Sequence, residues 1–168
     1  MEPVDLGLLV IRVVFGLSLA AHGLNKIRGG GGLNGTAGWF GSIGMTWPRL
    51  QARLAAGTEI AAGLLFAVGL LTSLAAAAMI SLMLVAWVVA HRTTGFFIFN
   101  QGQGWEYVAS IAAAAFGVGA AGAGAASLDH ALDLHLSGWW GAVVAGVVGV
   151  GGAALHLAVS YRPKRSAS

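Results

Sequence analysis

The stretch "LGLLVIRVVFGLSLAAHG", Leu6 to Gly23, is apolar at nearly every position, yet Arg12 sits in its middle and His22 near its end. A run of this kind approaches the ~20 residues a helix needs to cross about 30 Å of hydrocarbon. An arginine at that depth costs roughly 2.5–3.5 kcal/mol on insertion scales, so it needs a partner or a purpose. The rest of the chain has the same character. Of 168 residues, 57% are hydrophobic and 9% are charged. Soluble domains carry about 25% charged residues, so this composition places the chain in a bilayer.

Working outward, five apolar spans can be drawn: Leu6 to about Asn25, Leu54 to Leu71, Leu74 to His91, Trp105 to about Ala125, and Gly138 to Ser160. Helices satisfy their own backbone groups in lipid, which predicts an all-α, multi-pass transmembrane helical bundle. Thr72 and Ser73 alone separate the second and third spans, which predicts a tight hairpin there. Glu2 and Asp5 stand where a secretory signal would carry positive charge, so the first span reads as a retained helix. With five spans, one side of the membrane receives Glu2, Asp5, Asp129 and Asp133, and the other receives every Lys and Arg except Arg12. The positive-inside rule then predicts a plasma (inner) membrane protein with its N-terminus outside and its C-terminus cytoplasmic.

Several function classes drop out. The net charge of +3 comes from loops and tail, with no basic face interleaved with aromatics, so nucleic acid is not an expected partner. The chain has no cysteine, which excludes disulfide relays, thiolate catalysis and Cys-held iron–sulfur or zinc sites within it. No metal, haem or iron–sulfur cluster is expected in this chain. Gly29–Gly32 lack the following "GKS" or "GKT" of a phosphate loop and read as a flexible exit from the first helix. In the 26–53 loop, Trp39, Phe40, Ile43 and Trp47 recur at helical spacing, which predicts a short interfacial helix. Gly141, Ala145, Gly149 and Ala153 form a small-residue stripe, fit for close packing inside the bundle or between copies in a homo-oligomer.

Polar groups inside the spans are the candidate site: Arg12, His22 and Lys26 on the first, Glu59 on the second, His91 closing the third, and Glu106 with Tyr107 opening the fourth. Most converge on one half of the bilayer, as does His156 on the fifth span. Arg12 and Glu59 are the deepest, about 10 Å apart in depth, a gap two extended side chains can bridge. The expectation is an Arg12–Glu59 pair, either fixing helix register or lining a small-molecule or proton site. Arg12, Gly16, Leu19, Gly23 and Lys26 share one stripe that should face the interior. Asp129, His130, Asp133 and His135 match no strong metal-ligand spacing and read as an interfacial turn.

In order along the chain, "IRVVFGLSLAAHGLNKI", "GGLNGTAGWFGSIGM", "TEIAAGLLFAVGLLTSLAA", "WEYVASIAAAA" and "AASLDHAL" resemble successive blocks of the DoxX family of small membrane proteins, over about residues 8–132. The matching positions are Arg12, His22, Gly23, Lys26, Glu59, His91, Glu106 and Tyr107. The resemblance implies a four-helix membrane domain over residues 1–136. An additional helix at 137–161 and a basic tail at 162–168 depart from the pattern. It also implies a quinone-linked redox subunit, of thiosulfate:quinone or oxidative-stress type, with superoxide dismutase or sulfurtransferase partners and quinone as the expected cofactor. A subunit of a quinone-linked oxidoreductase fits a cysteine-free chain better than a self-sufficient enzyme. The rival readings are a membrane scaffold whose loop and tail recruit partners or anionic lipid, and transport of a small solute or lipid.

Overall fold

The computed structural model describes residues 1–163. Lys164 and Arg165 of the expected basic tail lie outside the described residues. Among the described residues seven helices follow one another: α1 (Pro3–Arg28), α2 (Gly32–Ser42), α3 (Pro48–Val68), α4 (Thr72–His91), α5 (Glu106–Ala121), α6 (Leu128–Ala131) and α7 (Gly138–Ser160). The last turn of α4, Trp87–His91, and the middle of α7, Val144–Val148, are wound as π-helix. Of the five expected spans, α1, α4 and α7 are long and apolar enough to cross a membrane. Helix α5 is apolar but shorter at 16 residues, and the 21-residue α3 carries Arg49, Arg53 and Glu59.

Helix ends differ from the sequence expectation for local reasons. Pro48 starts α3 six residues before Leu54, because proline lacks only an N–H that the first turn leaves unpaired anyway. Gly69, at φ +69°, ends α3 in the left-handed conformation that glycine adopts freely. The turn is therefore Gly69–Leu71, and Thr72 and Ser73 belong to the first turn of α4 rather than to the hairpin itself. Gly122, at φ +94°, stops α5 short of Ala125. The expected interfacial helix begins earlier, at Gly32 within the glycine run, and ends at Ser42. Trp47 falls outside it, at the residue preceding α3.

Helices α1 and α3 pack along their lengths, α4 lies between α3 and α5, and α7 runs against α4 and α5. The buried face of α1 is Arg12, Gly16, Leu19, Ala20 and Gly23, which shares four residues with the stripe read from the sequence; Lys26, the fifth of that stripe, is half-buried. The glycines on it bring two backbones together. A Cβ on Gly16 would press on the carbonyl of Gly63 and lie 2.8 Å from the amide nitrogen of Ala67. One on Gly23 would lie 2.7 Å from the carbonyl of Ala56. In lipid there is little hydrophobic drive between helices, so this close contact is what holds α1 on α3. Gly16→Leu is expected to lower stability by about 1–3 kcal/mol, read as a lower thermal midpoint in detergent. Gly7→Leu, where a Cβ meets nothing within 4 Å, is the control and should leave the midpoint unchanged.

The α7 stripe packs within the chain. Gly141 abuts the carbonyl of Gly119, and Gly149 rests on Ala77 and Ile80 of α4. Ala145 and Ala153 are buried. Beyond α7, the backbone pairs with the α2–α3 connection: Thr46 donates to the Ser160 carbonyl at 2.8 Å and Arg162 to the Gly44 carbonyl at 2.8 Å. The C-terminal end of α7 is thereby fastened across one end of the bundle.

Candidate functional site

Glu59 is paired, but with Lys26 rather than Arg12. The Lys26 Nζ donates to both Glu59 carboxylate oxygens at 2.7 Å. Gly23 makes this pair possible, since its missing side chain lets α1 close onto α3 beside the Cβ of Glu59. The expected Arg12–Glu59 contact fails on height. Arg12 lies at the level of Gly69, where a Cβ would run into its guanidinium. Gly69 is ten residues beyond Glu59, or about 15 Å of helix rise. Arg12 instead belongs to a latch at the other end of the bundle. Its Nη2 donates to the carbonyl of Ala126, and Asp129 is the carboxylate whose charge acts on it.

That latch also accounts for the acidic and histidine-rich turn. Asp129 accepts from the backbone N–H of Leu71 at 2.7 Å and of Thr72 at 2.9 Å, capping α4 from a distant segment. Its own N–H donates to the Gly69 carbonyl at 2.7 Å. Asp5 accepts from Ala125 N–H at 2.9 Å. Asp133 and His135 form an exposed pair at 2.6 Å. Among the described residues, no three His, Asp or Glu side chains gather as a metal site requires.

The remaining groups meet around one cavity of about 370 Å³, near the lower end of the range for small-molecule sites. His22, Lys26, Glu59, His91 and Tyr107 all line it. Tyr107 is the hinge of the arrangement. Its ring stacks on His22, with centroids 6.2 Å apart and planes at 14°. It meets His91 edge-on, at 5.3 Å and 87°. The Tyr107 hydroxyl lies 2.8 Å from His91 Nε2, and His91 Nδ1 lies 2.8 Å from the Gln103 carbonyl. A carbonyl only accepts, so Nδ1 of the neutral ring carries the proton, Nε2 accepts, and the tyrosine hydroxyl donates. The π-wound turn that ends α4 closes on His91, which is buried.

Glu106 is not part of this group. Its carboxylate accepts from the Ile98 N–H at 3.1 Å and ties down the loop before α5. The first residue of α5 and the second point different ways, as a helix requires. Conversely, His156 of α7 lines the cavity, with Gln51, Thr58 and Ser81. A lone histidine in a Gly/Ala/Val helix was the available signal for it. Only the docking of α7 on α4 brings it to the same cavity. The other walls are apolar: Leu19 of α1, Phe40 of α2, Met83 and Val89 of α4, and Ile111 of α5.

Comparison with known proteins gives the relationship. A Bacillus subtilis (strain 168) protein named "Putative oxidoreductase CatD" is 38% identical over 68 residues, which cover 40% of this chain and 47% of that protein. The chain thus spans about half the length of the curated relative it matches. No solved structure matches. The family model described as DoxX matches residues 7–92, the stretch from α1 through α4 that carries Arg12, His22, Lys26, Glu59 and His91. With half of the sequence matched in this way and an all-helical fold holding three helices fit to span a bilayer, the chain is a membrane protein that belongs to the DoxX family.

Proposed function

We propose that this protein is a quinone-interacting accessory subunit of a membrane redox or oxidative-stress complex. Its place would be the plasma membrane, with the N-terminus outside and the cavity in the cytoplasmic half. The observation that carries the reading is the composition of the cavity. Most of its walls are apolar, while Lys26–Glu59 and the His22–Tyr107–His91 series stand together on its lining. An apolar ring with carbonyl oxygens at its edges fits such a site. When bound, a quinone supplies the capacity to take up two electrons and two protons. The chain's own residues do the rest. Lys26 offers ammonium donors to an oxygen that gains negative charge. Tyr107 holds a proton within hydrogen-bond reach of His91, a pair suited to passing protons between cavity and loop. Phe40 and Leu19 exclude water. The name of the bacterial relative, an oxidoreductase, agrees with this reading. A chain without cysteine takes its electrons from a partner, for which the resemblance implies a superoxide dismutase or sulfurtransferase assembly.

The test is mass spectrometry of the protein extracted gently from its native membrane, scoring bound small molecules and co-purifying proteins together. A stoichiometric quinone with a redox partner is the expected result. Protein partners without any quinone would replace this reading with that of a scaffold.

A further inference from the structure

The cavity continues beyond its polar groups. Leu54, Thr58 and Ala78 line it, and the same three residues line a second hollow of about 410 Å³ between α3 and α4. From that junction the groove runs toward the Arg12 end of the bundle, past Ala61 and Leu65 of α3 to Leu71. Leu54, Thr58, Ala61 and Leu65 stand four, three and four residues apart, so they share one face of α3. That face is about 16 Å long. Its flanks are open to the surroundings, with Leu54 and Leu71 about half exposed. Arg53 is the one ionisable group on its lining.

We infer that this groove seats the isoprenoid tail of the quinone, which makes the ligand a long-tailed, membrane-resident quinone and not a tailless soluble one. The inference rests on the reading of the cavity as a headgroup site. A tailed quinone needs an apolar track that begins where the polar groups stop and leads out to lipid. The shared residues Leu54, Thr58 and Ala78 make the groove such a track. Ordinary bilayer lipid filling the groove is the competing occupant.

Gly57 allows a direct test. It lines the groove, and a Cβ there meets nothing within 4 Å, so a side chain can leave the backbone there into open space. The experiment compares the full-length chain with Gly57→Phe in nanodiscs. It measures binding of a polyisoprenoid quinone and of the same ring with its tail replaced by a methyl group. Gly57→Phe is expected to weaken the tailed quinone at least tenfold and leave the tailless one unchanged. Ala61→Phe, one turn along the same face, should repeat the pattern, and it decides the matter should Gly57→Phe lower the thermal midpoint. Unchanged binding of the tailed quinone in both variants would give the groove to bulk lipid and overturn the inference, with the headgroup reading intact. Binding of neither quinone by the unaltered protein would overturn the headgroup reading and this inference together.

Discussion

Glu59→Gln is expected to weaken quinone binding by roughly ten- to hundredfold, because it removes the group that holds Lys26 in place over the cavity. Charge-assisted hydrogen bonds of this kind are worth about 1.5–3 kcal/mol, and each 1.4 kcal/mol is a factor of ten in affinity. The pair sits between two regimes: the Lys26 side chain is 21% exposed and that of Glu59 is 9% exposed. Exposed pairs contribute about 0–1 kcal/mol, whereas breaking a buried one costs about 3–5 kcal/mol. A stability loss between those limits should accompany Glu59→Gln. The double variant Lys26→Met with Glu59→Gln removes the stranded charge. It should recover most of the thermal midpoint and none of the binding, measured side by side on the same preparations. A double variant that regained binding along with stability would reduce the pair to a structural clamp between α1 and α3.

Asp129→Ala should be the most damaging single change to the fold. It strips both backbone caps from the start of α4, at Leu71 and Thr72, and removes the carboxylate whose charge acts on buried Arg12. A backbone donor left unpaired costs about 1–3 kcal/mol, and Asp129 serves two of them, at Leu71 and Thr72. The measurement is thermal unfolding in detergent, with Arg12→Met added in a second variant. The pair of changes should be less destabilised than Asp129→Ala alone, since no charge is then left stranded. Binding of the tailless quinone by protein that stays folded should be unaltered, because the latch and the headgroup cavity occupy opposite ends of α3. A neutral Asp129→Ala would remove the latch from the account of the fold.

These two results would separate groups that look alike in one dimension. Arg12 and Lys26 both lie on the interior stripe of α1, and each is a cation in search of an anion. Depth arithmetic along the sequence left Glu59 within reach of Arg12, because it took α3 to start at Leu54 and to end at Leu71. The cap at Gly69 and the start at Pro48 move that ruler, and the close approach at Gly16 and Gly23 fixes which residues face one another. Lys26 then meets Glu59, and Arg12 meets the Ala126 carbonyl, with Asp129 the carboxylate whose charge acts on it.

By itself the sequence determined the solvent, the helical class and the interior face of α1. Those follow from composition and from the 3.6-residue period, which are local properties. It also marked most of the polar groups that line the cavity, because a titratable side chain in an apolar helix is conspicuous wherever it falls. Only the tertiary structure decided their partners. His91 is held by Tyr107 and the Gln103 carbonyl from outside its own helix, and whether His156 reaches the cavity depends on how α7 lies along α4. Pairing across helices is set by sub-turn shifts in helix ends and by contacts between backbones, and neither leaves a periodic trace in the chain.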